Sequence, residues 1–359
     1  MKKVLSIIFA LAMIFSLMPT SLAVDLTGND TMKTVEEAGY SFRISERIDE
    51  YGRIARSIKS EDYESRQTHS EFTENMEKTK AMLAAVGMQK ENIDRLDDET
   101  LQSFAVSREI TVMTSYSKVD SSGNVTYLPE EQAVAESAEL NSAQDAIKYK
   151  YAVEGAATLS TTEKKYFQDS YMRVDLTVSY QGNAQYLYAV DSEWLTMPTF
   201  RGTDSLGACA MGSAIDTGTQ YGYYIYGITY INAGVKKYDE KATYIKNNYA
   251  NAIHGDWYGS ACYFNLPNDT YGLSSSTLYR NFRVHFQYRG YCKYPDLRSN
   301  FNVVGDYAHT KISASPSISI GISSSGDFSA AIGLTPIEKK DVRGVEAVSY
   351  THLTLPTKA

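Results

Sequence analysis

Alternation of apolar and polar positions dominates the second half of the chain. The runs 186–191, 221–231 and 279–288 place aromatic and β-branched residues at nearly every second position, which is typical of β-strands. The turn sequence Gln-Gly-Asn at 181–183 follows the run 166–180 and predicts a long hairpin. Short strands at this density, separated by Gly, Asn and Asp, predict an antiparallel β sandwich or a barrel-like domain.

Helical spacing is confined to the first half of the chain. Apolar residues recur at helical intervals over residues 62–86, and Gly87 stands where a helix C-terminus favours positive φ. Helical spacing returns over 129–140 and again after Ser142. The fold class predicted is therefore α+β. A small, mixed but mainly helical N-terminal region covers 24–160, and a Tyr-rich antiparallel β domain covers 161–336.

Both ends of the chain stand outside this fold. Lys2 and Lys3 precede an apolar run and a small-x-small site, which together predict a signal peptide over 1–23 and a secreted, extracellular protein. Residues 337–359 form a tail. Within it, the run 348–357, VSYTHLTLPT, resembles translated sequencing adapter and is expected not to be native.

Charge and cysteine usage exclude several classes of protein. The formal net charge is −8 at pH 7, and Lys and Arg are not clustered, so nucleic-acid binding by charge is not expected. Cys209, Cys262 and Cys292 allow one disulfide and one odd thiol in an oxidising compartment, with the pairing left open. No metal-ligand spacing of Cys or His occurs in the sequence, and we expect neither a metal nor a cofactor.

One covalent-catalysis arrangement can be assembled from the sequence. Cys209 would be the nucleophile, with His254 or His309 as the base. The usual motifs of hydrolases, metalloproteases and nucleotide-binding enzymes are absent from the sequence. A lone cysteine is more often a small buried hydrophobe, so a non-enzymatic protein is the favoured interpretation.

Candidate binding residues are Trp194, Arg201, Asp204 and Trp257. Large aromatics are usually buried, so a core position is favoured for Trp194 over a surface groove. The chain holds 29 tyrosines. Half-buried strand faces account for most of them, and a stacking surface for sugars or peptides is the alternative.

A serine-rich amphipathic hairpin is predicted over 311–334. Its isoleucines alternate with serines, and the residues 324–327 turn the chain. The favoured interpretation is an ordinary outer hairpin with a hydroxyl-rich solvent face, since Pro316 interrupts the first strand. The alternative is insertion into a membrane, as in a pore-forming toxin, whose strands also alternate apolar and small polar residues.

The segment from Trp194 to Cys209, with the pattern WLTMPxxRxxDxxGxC, resembles uncharacterised secreted proteins of Gram-positive anaerobic bacteria. The C-terminal hairpin is weakly similar to secreted bacteriocin-like proteins. The expected function is non-enzymatic recognition of an extracellular ligand or surface. The alternatives are a secreted bacteriocin or pore-forming toxin-like protein, and a cysteine-dependent hydrolase of cell-wall or peptide substrates.

Overall fold

The computed structural model describes most of the chain between Asp30 and Thr351. The described ranges are 30–59, 72–121, 124–154, 161–198, 201–210, 213–246, 253–255, 259–272, 275–292, 301–309, 314–322, 328–336 and 343–351. The predicted signal peptide and Trp257 therefore lie outside the described residues.

Strands make up most of the described structure. They are β1 (Thr31–Glu37), β2 (Tyr40–Ile48), β3 (Ile54–Lys59), β4 (Glu109–Val119), β5 (Val125–Leu128), β6 (Ser170–Gly182), β7 (Gln185–Thr196), β8 (Thr203–Ala210), β9 (Ser213–Ile215), β10 (Tyr221–Asn232), β11 (Val235–Lys246), β12 (Ile253–Gly255), β13 (Gly259–Asn265), β14 (Ser275–Cys292), β15 (Phe301–His309), β16 (Ala314–Ile322), β17 (Phe328–Pro336) and β18 (Arg343–Thr351).

The helices are α1 (Phe72–Ala85), α2 (Lys90–Ile93), α3 (Asp98–Ala105), α4 (Glu130–Glu154) and α5 (Thr161–Lys164), which is followed by a 3-10 turn over Lys165–Phe167. The two helical patterns predicted around residue 141 form the single helix α4.

Two antiparallel sheets carry the fold. Sheet A runs in the order β1-β2-β3-β4-β6-β7-β14-β10-β11, with β5 paired to β4 and β9 to β14. Sheet B runs in the order β12-β13-β8-β15-β18, and β16 pairs with β17 in a separate two-stranded sheet. The predicted antiparallel β architecture is confirmed, including the β6–β7 hairpin.

The predicted mainly helical N-terminal region is not confirmed. Strands β1 to β5 lie within it and belong to sheet A. In addition, β4 pairs with β6 along its whole length, from Glu109 opposite Tyr180 to Val119 opposite Ser170. Residues before and after 160 therefore share one sheet, and the helices α1 and α4 that the local patterns predict lie between its strands in the sequence.

The apolar core lies between the two sheets. Leu176 on β6, Val190 on β7 and Phe286 on β14 pack with Leu206 on β8 and Tyr307 on β15, and each is at most 1% exposed. Burying each large side chain contributes roughly 1.5–3 kcal/mol. This packing explains the aromatic alternation seen in the sequence, because every second residue of β6, β7 and β14 meets sheet B.

The short helices cover the opposite face of sheet A. Leu83, Phe104 and Ile110 belong to a second buried cluster formed by α1, α3 and the adjacent strands. The predicted helix end at Gly87 is confirmed: its φ is +99°, and the Met88 N–H donates to the Leu83 carbonyl oxygen at 3.0 Å. Helix α3 is capped by Asp97, which accepts from the Thr100 N–H at 2.8 Å.

The last strand comes from the predicted tail. β18 pairs with β15 from Phe301 opposite Thr351 to His309 opposite Arg343. It therefore includes the first four residues of the adapter-like run 348–357.

Close packing of β8 on β13 depends on a residue without a side chain. A Cβ on Gly207 would lie 2.4 Å from the Ser260 carbonyl oxygen and 2.6 Å from the Ala261 Cα. We expect Gly207→Ala to destabilise the protein by about 1–3 kcal/mol, the usual effect of overpacking, as measured by urea unfolding. Gly227→Ala is the matched strand control, because its nearest neighbour is the flexible Arg280 side chain at 3.2 Å. Equal stability losses in the two variants would contradict this account.

Candidate functional site

Three of the candidate residues meet inside the core between the sheets. The Trp194 indole N–H donates to the Tyr307 hydroxyl at 2.8 Å, and that hydroxyl donates to Asp204. His309 Nδ1 lies 2.7 Å from Asp204 Oδ1. None of the four side chains is more than 2% exposed, so Trp194 is a core residue, as favoured from the sequence.

The contact between Asp204 and His309 in this buried cluster is of a kind found in catalytic sites. The cluster, however, has no access to solvent. Burial, and after it the Asp204 carboxylate, raises the pKa of Tyr307 well above its ordinary value, so the phenol remains a donor. His309 Nε2 has no hydrogen-bond partner among the described residues. It is sealed in the core, where no substrate reaches it.

The structure does not bring Cys209 to His309. Asp204, the partner of His309, and Cys209 are five positions apart on β8, so they lie on opposite faces and about 17 Å apart along the strand. Candidate His254 lies in β12, opposite Ala261. The cysteine–histidine pair expected for a hydrolase is therefore not formed between Cys209 and His309.

The expected disulfide is not seen. Cys209, Cys262 and Cys292 are all buried, and none of them is in a disulfide in the described structure. Cys209 pairs with Gly259 and Cys262 with Leu206, so the first two cysteines lie on opposite faces of sheet B, which prevents bonding. Cys292 ends β14 in sheet A. Burial raises the pKa of the Cys262 thiol, which lowers its reactivity.

Arg201 is an internal ion-pair residue. Its guanidinium binds both carboxylate oxygens of Asp269, at 2.9 and 3.0 Å, and donates to the Pro267 carbonyl oxygen at 2.7 Å. Asp269 also accepts from the Tyr279 N–H at 2.7 Å and lies 3.2 Å from Lys148 on α4. Burial alone would raise the pKa of Asp269, but Arg201 and Lys148 outweigh it and lower the pKa.

The Arg201–Asp269 pair predicts a large stability effect. Arg201→Ala leaves Asp269 buried with only Lys148 beside it, so we expect a loss of about 3–5 kcal/mol in the free energy of unfolding. The partly exposed Arg47–Asp30 pair supplies the control, because Arg47→Ala should cost less than about 1 kcal/mol. Urea denaturation of both variants tests this, and a loss below 1 kcal/mol for Arg201→Ala would contradict it.

The open site lies elsewhere, at the end of β14. Two cavities meet at Arg289. The larger, about 400 Å³, opens between α3 and the loop before β10, and the smaller, about 270 Å³, opens beside the β6–β7 turn. We call the pair the Arg289 groove. Its side chains are mainly polar: Asp97, Glu99, Thr100, Ser103, Gln181, Gln185, Asp216, Gln220, Tyr221, Gln287 and Arg289.

Arg289 is held at the centre of this groove. Its guanidinium lies 2.9 Å from the Glu99 carboxylate and donates to the Ser103 hydroxyl at 2.7 Å. Its backbone N–H donates to the Thr219 hydroxyl at 2.9 Å. Both side-chain partners lie on α3, so the groove has walls fixed by a helix on one side and a strand on the other.

Beneath the groove a buried polar row crosses sheet A. The Gln287 amide donates to Thr100 at 2.7 Å, and Gln287 Oε1 lies 2.9 Å from His285 Nε2. His285 Nδ1 lies 2.7 Å from Asp191, and the Tyr223 ring stacks on the imidazole with centroids 5.0 Å apart. Thr114 donates to Asp175 at 2.7 Å on the next strands.

This arrangement favours a charged imidazole at His285. Gln287 donates to Thr100, so its oxygen faces His285 and accepts; Asp191 also accepts, and His285 must donate from both nitrogens. Burial lowers the pKa of His285, but Asp191 and Gln287 outweigh burial and raise it above 6.5.

A raised histidine pKa gives a definite pH dependence of stability. The contribution of the His285–Asp191 pair is fully present below the unfolded value of about 6.5 and is lost as the pH rises through the folded value. We therefore expect His285→Asn to lose more stability at pH 6 than at pH 9, as measured by thermal unfolding across that range. A loss that is the same at every pH would contradict a charged pair.

Sequence reasoning missed the groove, although one signal was present. His285, Gln287 and Arg289 occupy alternate positions of a strand whose other face is aromatic. Polar residues at every second position of a central strand indicate a second, polar environment. The partners Thr100 and Ser103 lie 187 and 186 residues away in sequence and could not be identified from it.

No protein-family model matches the chain, and neither does any curated protein. Among solved structures, the chain is similar to the collagen-binding subdomain of the Enterococcus faecalis surface protein ACE. The identity is 8%, with 46% of this chain and 86% of that chain covered and a TM-score of 0.22. A likeness at this level carries no argument about fold or function.

Two kinds of feature are absent from the described part of the chain. No group of three or more His, Cys, Asp or Glu residues there is placed to hold a metal ion. Likewise, none of the helices described is long and apolar enough to span a membrane.

Proposed function

We propose that the protein is secreted and binds an uncharged, hydroxyl-rich ligand, an oligosaccharide, in the Arg289 groove. The observation that supports this is the groove itself, an open pair of mainly polar cavities whose walls are fixed by a helix and a strand. A few convergent polar groups in a preformed pocket are characteristic of small-ligand sites.

The lining chemistry supports a saccharide over a charged ligand. Asp97 and Glu99 offset Arg289, and the chain carries a net negative charge, so a polyanion would be repelled. The Gln220 amide N–H groups can donate to ligand hydroxyl groups, and the Asp97 and Glu99 carboxylates can accept from them. Tyr221, at the groove wall, presents a half-buried ring on which the apolar face of a sugar can stack.

The rigid scaffold supports recognition of a ligand rather than catalysis that depends on moving elements. In this proposal the two packed sheets are a β-sandwich that holds α3 and the end of β14 in fixed relation. Binding sites on such scaffolds lie at loop-rich ends of the sheets. The alternative of a cysteine-dependent hydrolase loses its Cys209–His309 pair, because these two side chains lie on opposite faces of sheet B.

Binding to an array of neutral, N-acetylated and acidic oligosaccharides tests the proposal. We expect the mature protein to retain neutral or N-acetylated members and not acidic ones. Arg289→Ala removes charged hydrogen bonds at the centre of the groove and should weaken binding about 10–100-fold in titration calorimetry.

Arg280→Ala is the matched control for this experiment. Arg280 lies on the same strand, its side chain is 33% exposed against 32% for Arg289, and it also has one carboxylate partner, Asp145 at 3.3 Å. Binding of Arg280→Ala should stay within about twofold of the wild type. No retained oligosaccharide, or equal losses in the two variants, would contradict the proposal.

A further inference from the structure

The hairpin of β16 and β17 is held to the fold by its ends and by packing on strands of sheet B. Its two strands pair with each other and, among the described residues, with no strand of sheet A or sheet B. His309, at the end of β15, pairs with Arg343, at the start of β18. The hairpin therefore leaves the sheet and returns at one point, and it can move away without breaking a ladder of either main sheet.

The strand register separates two kinds of residue. Ile318 is opposite Ile332, Ile320 opposite Ala330, and Ile322 opposite Phe328. The intervening positions pair serine, glycine, alanine and threonine residues. Directly opposed residues of an antiparallel pair share a face, so the register gives the hairpin one apolar face and one face of small, mostly polar residues.

Length and charge match the requirements for crossing a membrane. Each strand has nine residues, and a strand that spans the hydrocarbon layer needs about 9–11. Between Ala314 and Pro336 the sequence has one charged residue, Asp327, which lies between the strands. Lys311 and Lys339 stand outside the two ends.

The hairpin lies against the outer face of sheet B, where it contacts β8, β13 and β15. Leu206 and Ala208 on β8 belong to the core shared with sheet A, so Ser205 and Cys209 are on the other face. Both are nevertheless 0% exposed. The face away from sheet A is thus covered, and the hairpin is the element that covers it.

The covered face is small and partly polar. Gly207 on β8 and Gly259 and Ala261 on β13 lie on this face. Because these residues are small, removal of the hairpin exposes little apolar area. The Ser205 hydroxyl is buried with no partner among the described residues, which is a local cost of the covered state.

From these observations we propose that β16 and β17 form a membrane-inserting hairpin stored against sheet B. In the released hairpin, the apolar face would contact lipid and the serine-rich face would line water. Unpaired backbone groups are too costly in hydrocarbon for one hairpin alone, so hairpins from several copies must pair edge to edge. This inference is independent of saccharide binding in the Arg289 groove.

Release of encapsulated dye from phosphatidylcholine vesicles tests the inference. An N-terminal hexahistidine tag on the mature protein and a nickel-chelating lipid bring it to the surface, so that no receptor is needed. We expect the tethered wild type to release dye. Ile320→Lys places a charge on the apolar face and should reduce the rate at least tenfold, whereas Ser319→Lys, one position away on the other face, should keep it within about threefold.

The reactivity of the cysteine thiols measures release of the hairpin from sheet B without a mutation. Cys209 is covered by the hairpin, whereas Cys262 lies on the core face of the same sheet. On vesicles, a maleimide should label Cys209 at least tenfold faster than in solution and leave Cys262 unchanged. No dye release from tethered wild type together with unchanged Cys209 labelling would overturn the inference, as would equal dye release by Ile320→Lys, provided thermal unfolding shows that this variant is folded.

Discussion

The period of two along β14 is the constraint on which the rest of the structure depends. β14 is 18 residues long and lies between β7 and β10 in sheet A. Both of its faces are buried over its central residues, one by sheet B and the other by the helices. Phe286 and Tyr288 face the apolar core, which places His285 and Gln287 on the helix side, where every polar group needs a partner.

Those partners connect distant parts of the chain. His285 lies between Asp191 and Gln287, and Gln287 in turn donates to Thr100. The Asp191 carboxylate therefore matches the charge on the imidazole, and both imidazole nitrogens have partners. Gln287 and Thr100, at one end of this row, also line the larger cavity of the Arg289 groove. The polar network of the interior therefore reaches the wall of the open site.

The two buried histidine–aspartate pairs have the same nitrogen–oxygen distance but different surroundings. His285 and His309 each lie 2.7 Å from a carboxylate. His285 has a second acceptor and leads toward solvent through Gln287, whereas His309 Nε2 is unpaired among the described residues and faces the core. Neither histidine therefore presents a free imidazole nitrogen to the Arg289 groove.

Sequence patterns predicted the long hairpin β6–β7, strands β10 and β14 and the end of α1, because each is encoded locally by alternation or by glycine. They did not predict that β1 to β5 join the same sheet, since strand partners are chosen by non-local pairing. Trp194, Asp204 and His309 were selected individually, but their convergence depends on contacts over 103 to 113 residues. The Arg289 groove was missed for the same reason.

A charged, hydrogen-bonded polar row crosses sheet A under the helices and reaches the Arg289 groove at Gln287 and Thr100. Nitrogen-15 NMR of histidine-labelled protein tests it most directly, because imidazolium and neutral imidazole nitrogens have different shifts. At pH 6, below the ordinary histidine value, both nitrogens of His285 are expected to carry protons and to couple to hydrogens. A neutral His285 at that pH, with one unprotonated nitrogen, would contradict it.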